Sequence, residues 1–355
     1  MRVAIIAITR NGARLGQVLL EGFPKGELFV TERFATGKAA AFSGGVRELV
    51  ERLWLEYEGF VFIMATGIVV RTVAPLLRSK DTDPAVVAID DAGRFAISLL
   101  SGHLGGANAL ARSCAALTGS VPVVTTATDA NDLPSFDMLA KEHHWEIDDL
   151  GQVKYLNALL LEGEPIAVVD PSGAVQRYFG GRGEVIFHDR VDDALAAGAA
   201  GYVFVTDAVV PAERAGERIL VLRPRRKFLG IGCNKGTSAA EIEAVVRENL
   251  EQLGISLRGV RCVATAAAKR SEPGLVEFAA LARLPLVSFE SAELNEVEIP
   301  SPPSEHALAA IGAKGVAEPA ALLASCGGRI ILRKVKSGNV TLAVAEALSN
   351  KDAQD

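Results

Sequence analysis

Little in this sequence supports a metal-stapled, membrane-embedded or nucleic-acid-binding protein. Its four cysteines, Cys114, Cys233, Cys262 and Cys326, stand far apart and form no CxxC pair. That leaves no pattern for a zinc site or a disulfide framework, and at least three of them read as small apolar core residues. No apolar run approaches the ~20 residues of a membrane-spanning helix. The run inside MRVAIIAITRNG is too short for a signal peptide. There is no long block of like charge, and the formal net charge is −6. Phosphate neutralisation needs a basic face, so general nucleic-acid binding is excluded. The pair His143-His144 has no partner at metal-ligand spacing, so no protein-bound metal is expected. These absences together suggest a reducing cytoplasm and no membrane partner.

What is present is a globular balance of 49% hydrophobic and 23% charged residues over 355 positions, enough for two or three domains. Short apolar runs alternate with helical patterns, which predicts an α/β fold. Residues 1–134 read as an N-terminal α/β layered domain. The apolar pattern breaks at DANDLP, read as a linker. Residues 135–225 read as a smaller α/β middle domain. The basic run Arg223-Pro224-Arg225-Arg226-Lys227 reads as a solvated boundary. From 226 to 355 a second α/β layered domain follows, closed by a hairpin around Lys336-Ser337-Gly338-Asn339.

The richest stretch is Val86–Leu117. Val86–Ile89 and Phe95–Leu100 are of strand length, with turn residues Asp90–Gly93 between them, so they predict a hairpin. Then comes Ser101-Gly102-His103-Leu104-Gly105-Gly106-Ala107-Asn108, and after it a helical apolar spacing that Gly119 stops. Glycines before a helix start leave backbone N–H groups open to an anion or a developing oxyanion. On this reading Ser101, Gly102, Gly105, Gly106 and Asn108 contact a ligand and His103 moves protons. The alternative is a tight strand-to-helix connection around a packed histidine. The spacing G-x-x-G-G is not a dinucleotide fingerprint, nor is it a nucleophile elbow.

Three further places are candidates. Thr66 and Gly67 open a helix that carries Arg71, which could pair with a carboxylate or simply face solvent. Lys80, Asp81 and Asp83 lie in a polar loop that is either a ligand contact or a turn. GIGCNKGTS fails as a P-loop, because Lys235 precedes its glycine. Gly232, Cys233, Lys235, Gly236 and Thr237 remain a candidate anion nest before a helix, for which Ser238 and Glu241 predict a capping box. His306 reads as a surface residue. Asp90, Asp91 and Asp129 read equally as acids or as turn and cap residues.

Taken in order, ATGIVVRTVAP, KDTDPAVVAIDDAGRFAISLLSGHLGGANALA, GIGCNKGTS, SPPSEHALAAIGAKGVAEPAALLAS and RIILRKVKSGNVTLAVA resemble the cobalt-precorrin-5A hydrolase (CbiG) family of anaerobic cobalamin biosynthesis. The resemblance spans essentially the full length. It implies opening of the δ-lactone of cobalt-precorrin-5A and release of acetaldehyde to give cobalt-precorrin-5B. Cobalt would then belong to the substrate, and no protein cofactor is implied. Joined to the residue reading, His103 becomes the general base and Gly105 and Gly106 the oxyanion donors. Arg71, Lys80 and Lys235 would meet the acid groups of a macrocycle lying in an interdomain cleft. Transient contact with neighbouring pathway enzymes is a further implication. A non-catalytic carrier of corrinoid intermediates is the alternative, since carriage needs anion sites but no base. A nucleotide-binding oxidoreductase or kinase is disfavoured by the failed fingerprints.

Overall fold

The computed structural model describes residues 1–79, 82–210 and 218–348. They form an α/β protein with three sheets, divided into two compact units, Met1–Lys141 and Glu142–Asp355. Among the described residues no helix is long and apolar enough to cross a membrane.

The first unit holds a seven-stranded sheet of order β3-β2-β1-β4-β5-β6-β7. Its strands are β1 (Val3–Ala7), β2 (Gly26–Thr31), β3 (Ala40–Phe42), β4 (Gly59–Ile63), β5 (Ala85–Ile89), β6 (Phe95–Leu100) and β7 (Val121–Val123). Its helices are α1 (Arg10–Gly22), α2 (Val46–Leu53), α3 (Thr66–Val73), α4 (Ala107–Thr118), α5 (Ala127–Ala130) and α6 (Phe136–Glu142). The central strands are apolar throughout because helices cover both faces. Ile5, Val61 and Val87 pack with Leu19 of α1 and Leu110 and Cys114 of α4. The alternate residues Ile6, Phe60, Phe62 and Val86 pack with Leu49 and Val50 of α2 and Val69 and Val73 of α3. Burying one side chain as large as Phe60 contributes roughly 1.5–3 kcal/mol.

All neighbouring strands run parallel except β5 and β6, which form the expected hairpin with Val86 opposite Leu100 and Ile89 opposite Ala96. The reversal carries the end of β6 back to the edge where β4 and β5 begin. The loop after β6 therefore lies at the opposite end of the sheet from the loop after β4. The five residues of β4 separate those ends by about 13 Å.

In the second unit one sheet has the order β10-β9-β11-β12-β8 and the other β15-β14-β13-β17-β16. The first comprises β8 (Glu146–Ile147), β9 (Ile166–Val169), β10 (Val185–Phe187), β11 (Gly201–Val205) and β12 (Ile219–Arg223), with α7 (Leu150–Glu162), α8 (Ala174–Phe179) and α9 (Val191–Ala196) between strands. The second comprises β13 (Lys227–Cys233), β14 (Val260–Ala266), β15 (Leu286–Phe289), β16 (Arg329–Ser337) and β17 (Val340–Glu346). Its helices are α10 (Ala239–Gln252), α11 (Pro273–Leu281), α12 (Ser291–Glu296), α13 (Glu305–Ile311) and α14 (Ala317–Ala324). β16 and β17 form the closing hairpin.

Two boundary expectations are corrected. DANDLP is not a bare linker: its first residues belong to α5, and α6 falls in the first compact unit. Phe136 is fully buried there. The basic run is not solvated either. Arg223 is 3% exposed, and its guanidinium donates to Asp148 at 2.7 Å and to the carbonyls of Thr206 and Ala208. Lys227 is 9% exposed and reaches Glu346 at 2.5 Å and Asp207 at 3.5 Å. Arg225 donates to the carbonyl of Val260, and Arg226 to that of Ala347. The run joins the two sheets of this unit.

Candidate functional site

Ser101 follows β6 with φ +57°, a left-handed conformation that costs a non-glycine residue of order 1 kcal/mol. The carbonyls of Ser101, Gly102 and His103 then accept from the backbone N–H groups of Ala107, Asn108 and Gly106. Gly105 lies flat on Ser101, where a Cβ would stand 2.3 Å from the serine Cβ. Gly106 has φ +93° and caps α4. The loop thus consumes one of the two donors expected for an oxyanion. The N–H of Gly106 is bonded to His103, so the expected oxyanion role for that group is corrected.

The loop instead presents the His103 ring to two carboxylates. Nδ1 stands 3.1 Å from Asp137 Oδ2, and Nε2 stands 3.0 Å from Asp129 Oδ2. The Thr128 hydroxyl lies 3.1 Å from Nε2. Asp129 comes from α5 and Asp137 from α6. Carboxylates only accept, so a ring flanked by both is satisfied when both nitrogens carry protons. The bond to Asp137 raises the His103 pKa above its ordinary value, burial opposes the rise, and Asp129 adds to it. Burial works to raise the pKa of Asp129, but hydrogen bonds from Arg112 and His103 outweigh it and hold that carboxyl below the usual range. Arg112 Nη2 donates to Asp129 Oδ1 at 2.7 Å. His103 is 17% exposed, Asp129 20% and Asp137 8% by side chain, so Asp129 is the more accessible carboxylate.

Asn108 is 4% exposed and serves this arrangement from inside. Its Nδ2 donates to Asp129 at 2.9 Å and to Thr126 at 2.9 Å, and its Oδ1 accepts from Ser98 at 2.6 Å. It orients Asp129 and is not placed to touch a ligand. A Cβ on Gly102 would come within 2.7 Å of that amide oxygen, which explains the glycine.

The remaining candidates divide. Thr66, Gly67 and Arg71 follow β4 and lie at the other end of the sheet from His103, for the topological reason given above. Arg71 folds back onto the carbonyl of Gly67 at 3.1 Å. Lys80 and Asp81 lie outside the described residues. Both carboxylate oxygens of Asp83 accept from the backbone of Arg78, the turn role. Asp83 and Gly105 nevertheless share a cavity of about 310 Å³ with Trp54, Tyr57, Glu58 and Arg78. Asp90 caps its hairpin at Phe95, and Asp91 accepts from Thr9 and Asn11. In the second unit Gly232, Cys233 and Lys235 line another cavity of about 410 Å³. Gly236 and Thr237 do not line it: the Gly236 N–H donates to Glu272 at 2.7 Å, and the Thr237 hydroxyl to the carbonyl of Asn234 at 2.9 Å. That loop is no open anion nest. Ser238 caps Glu241, but the Glu241 carboxylate turns to the Asn339 N–H at 3.0 Å, so the box is half made.

Sequence reading missed Asp137, Thr128 and Arg112 and did not single out Asp129. The only signal was three aspartates in the DANDLPSFD stretch, which turns and caps also produce. Among the described residues no group of three or more His, Cys, Asp or Glu side chains is placed to hold a metal ion.

Comparison with known proteins matches this chain along most of its length. Residues 48–129 match the family described as "Cobalamin synthesis G N-terminal", 134–224 "Cobalamin biosynthesis central region" and 228–345 "Cobalamin synthesis G C-terminus". A Priestia megaterium protein named "Cobalt-precorrin-5A hydrolase" is 37% identical over 352 residues, covering 96% of this chain and 94% of that one. One of the same name from Salmonella typhimurium is 30% identical over 97% of each. A "Probable cobalt-precorrin-5A hydrolase" from Methanocaldococcus jannaschii is 29% identical over 81% of this chain and 85% of that one.

Proposed function

This chain belongs to the cobalamin synthesis G family, and from that premise we propose that it hydrolyses cobalt-precorrin-5A. The near full-length similarity to proteins so named carries the reading. The chemistry follows from His103. Water adding to the lactone carbonyl generates an oxyanion, and collapse expels an alkoxide that needs a proton. An imidazolium held between Asp129 and Asp137 supplies that proton while favouring the oxyanion. His103 is therefore assigned as proton donor, in place of the general base suggested by sequence. After it gives up its proton, the ring regains one from the added water, as the new carboxylic acid ionises. The freed alcohol then loses its proton, its bond to the ring carbon breaks, and acetaldehyde leaves with the electron pair on the conjugated macrocycle. The cobalt is the substrate's own. A cytoplasmic setting and transfer of intermediates between neighbouring pathway enzymes belong to the same proposal.

The test is acetaldehyde release from cobalt-precorrin-5A under exclusion of oxygen. Stoichiometric, enzyme-dependent aldehyde is expected, and His103→Gln should lower kcat about a hundredfold or more with little change in KM. Tight binding without aldehyde would replace the hydrolase by a carrier. Near-normal turnover of the variant would remove His103 from the chemistry.

A further inference from the structure

The 410 Å³ cavity of the second unit is of ligand-pocket size, and nothing in the chemistry above uses it. It is formed at the end of β13, beside the β16–β17 hairpin and α13. Lys235, Lys269, Lys334, Lys336 and His306 line it, and no aspartate or glutamate does. Its other walls include Ile311 and Val316. The nearby carboxylates are used behind the wall. Glu318, 2% exposed, accepts from Ser301 Oγ at 2.7 Å and from the Lys334 N–H at 2.9 Å, which fixes the strand carrying Lys334 and Lys336. Glu272 holds Lys269 at 3.1 Å and the N–H of Gly236. Lys334 Nζ donates to the neutral Pro302 carbonyl at 3.0 Å and keeps its charge, so the lysines of this small cavity repel one another unless an anion enters.

The class of anion follows from the geometry. A compact phosphate would want backbone donors at a helix start, but here the Gly236 N–H is taken by Glu272 and the Glu241 N–H by Ser238. Lysines are separate point charges, suited to acids spread along a scaffold, and the apolar wall suits the body of that scaffold. We propose that this pocket binds the carboxylate arms of a corrinoid through Lys235, Lys334 and Lys336, with Ile311 and Val316 against the macrocycle. The identity of the acid as a corrinoid rests on the function proposed above.

The test is calorimetric titration of the full chain with a corrinoid heptacarboxylic acid, with its heptamethyl ester and with ATP. The acid should bind at least tenfold more tightly than the ester or ATP, and less tightly as salt rises. Lys235→Gln/Lys336→Gln changes two exposed side chains and should weaken acid binding tenfold or more while leaving ester binding and the thermal midpoint unchanged. Lys334→Gln should act in the same direction. Equal binding of acid and ester, tighter binding of ATP, or wild-type affinity in both variants would overturn the proposal. Aldehyde release is measured alongside. Aldehyde from the wild type with wild-type acid affinity in the variants would sink the pocket and leave the hydrolase. Lysine-dependent acid binding without wild-type aldehyde would do the reverse.

Discussion

Asp137 lies 34 residues beyond His103, and its Oδ2 meets the Nδ1 of that ring at 3.1 Å. This bond is the largest cause of the raised histidine pKa. Asp137→Asn removes the negative charge while keeping the shape. The His103 pKa should then fall toward its ordinary value of about 6.5, read from the ring-proton titration by NMR. An unshifted titration would show that Asp137 does not hold the imidazolium.

The same group makes stability depend on pH with a fixed sign. A histidine whose folded pKa is raised contributes fully below its unfolded value, and that contribution is lost as pH rises through the folded value. The gap in thermal midpoint between wild type and His103→Gln should therefore shrink with rising pH. Asp129, with a lowered pKa, acts at the other end: its contribution is present above its unfolded value and lost as pH falls through the folded one. Thermal scans from pH 6 to 9 test the histidine part, and a gap constant over that range would contradict it.

Arg223 joins β12 to Asp148 and to the carbonyls of Thr206 and Ala208. Arg223→Met leaves those acceptors without their donor and should cost on the order of 3 kcal/mol, seen as a lower urea midpoint. Lysine should not restore it, because one ammonium cannot reproduce the planar fork.

Gly230 of β13 packs under α14, and a Cβ there would stand 1.8 Å from the carbonyl oxygen of Ala317. Backbone must move to admit it, so Gly230→Ala should destabilise by about 1–3 kcal/mol or more. Gly119→Ala meets nothing within 4 Å at φ +75°, and the left-handed backbone alone costs about 1–2 kcal/mol. Denaturant unfolding of the pair separates crowding from backbone strain.

The elements with strong local signals were legible in the sequence. The β5–β6 hairpin, the stop of α4 at Gly119 and the Ser238 cap all follow from patterns a few residues long. The short pieces β3, α8, α9 and α12 were not, because segments of three to six residues carry no clear period. The histidine was legible as a candidate; its partners were not, since Asp129 lies 26 residues away and Asp137 34. A basic run reads as surface by composition, yet Arg223 and Lys227 are buried because the acids Asp148, Asp207 and Glu346, distant in the chain, neutralise them. Patterns report local conformation, whereas burial of charge depends on which distant acids the fold delivers.

The reversal of β6 also bears on inhibitor design. Small fragments that settle by Thr66 and Gly67 and fragments that settle by His103 occupy opposite ends of one covered sheet, separated by about 13 Å of strand. A short tether joining them cannot run through the packed layers, so linking would bring none of the usual gain in effective concentration. Growing a fragment outward from the His103 end is the productive course.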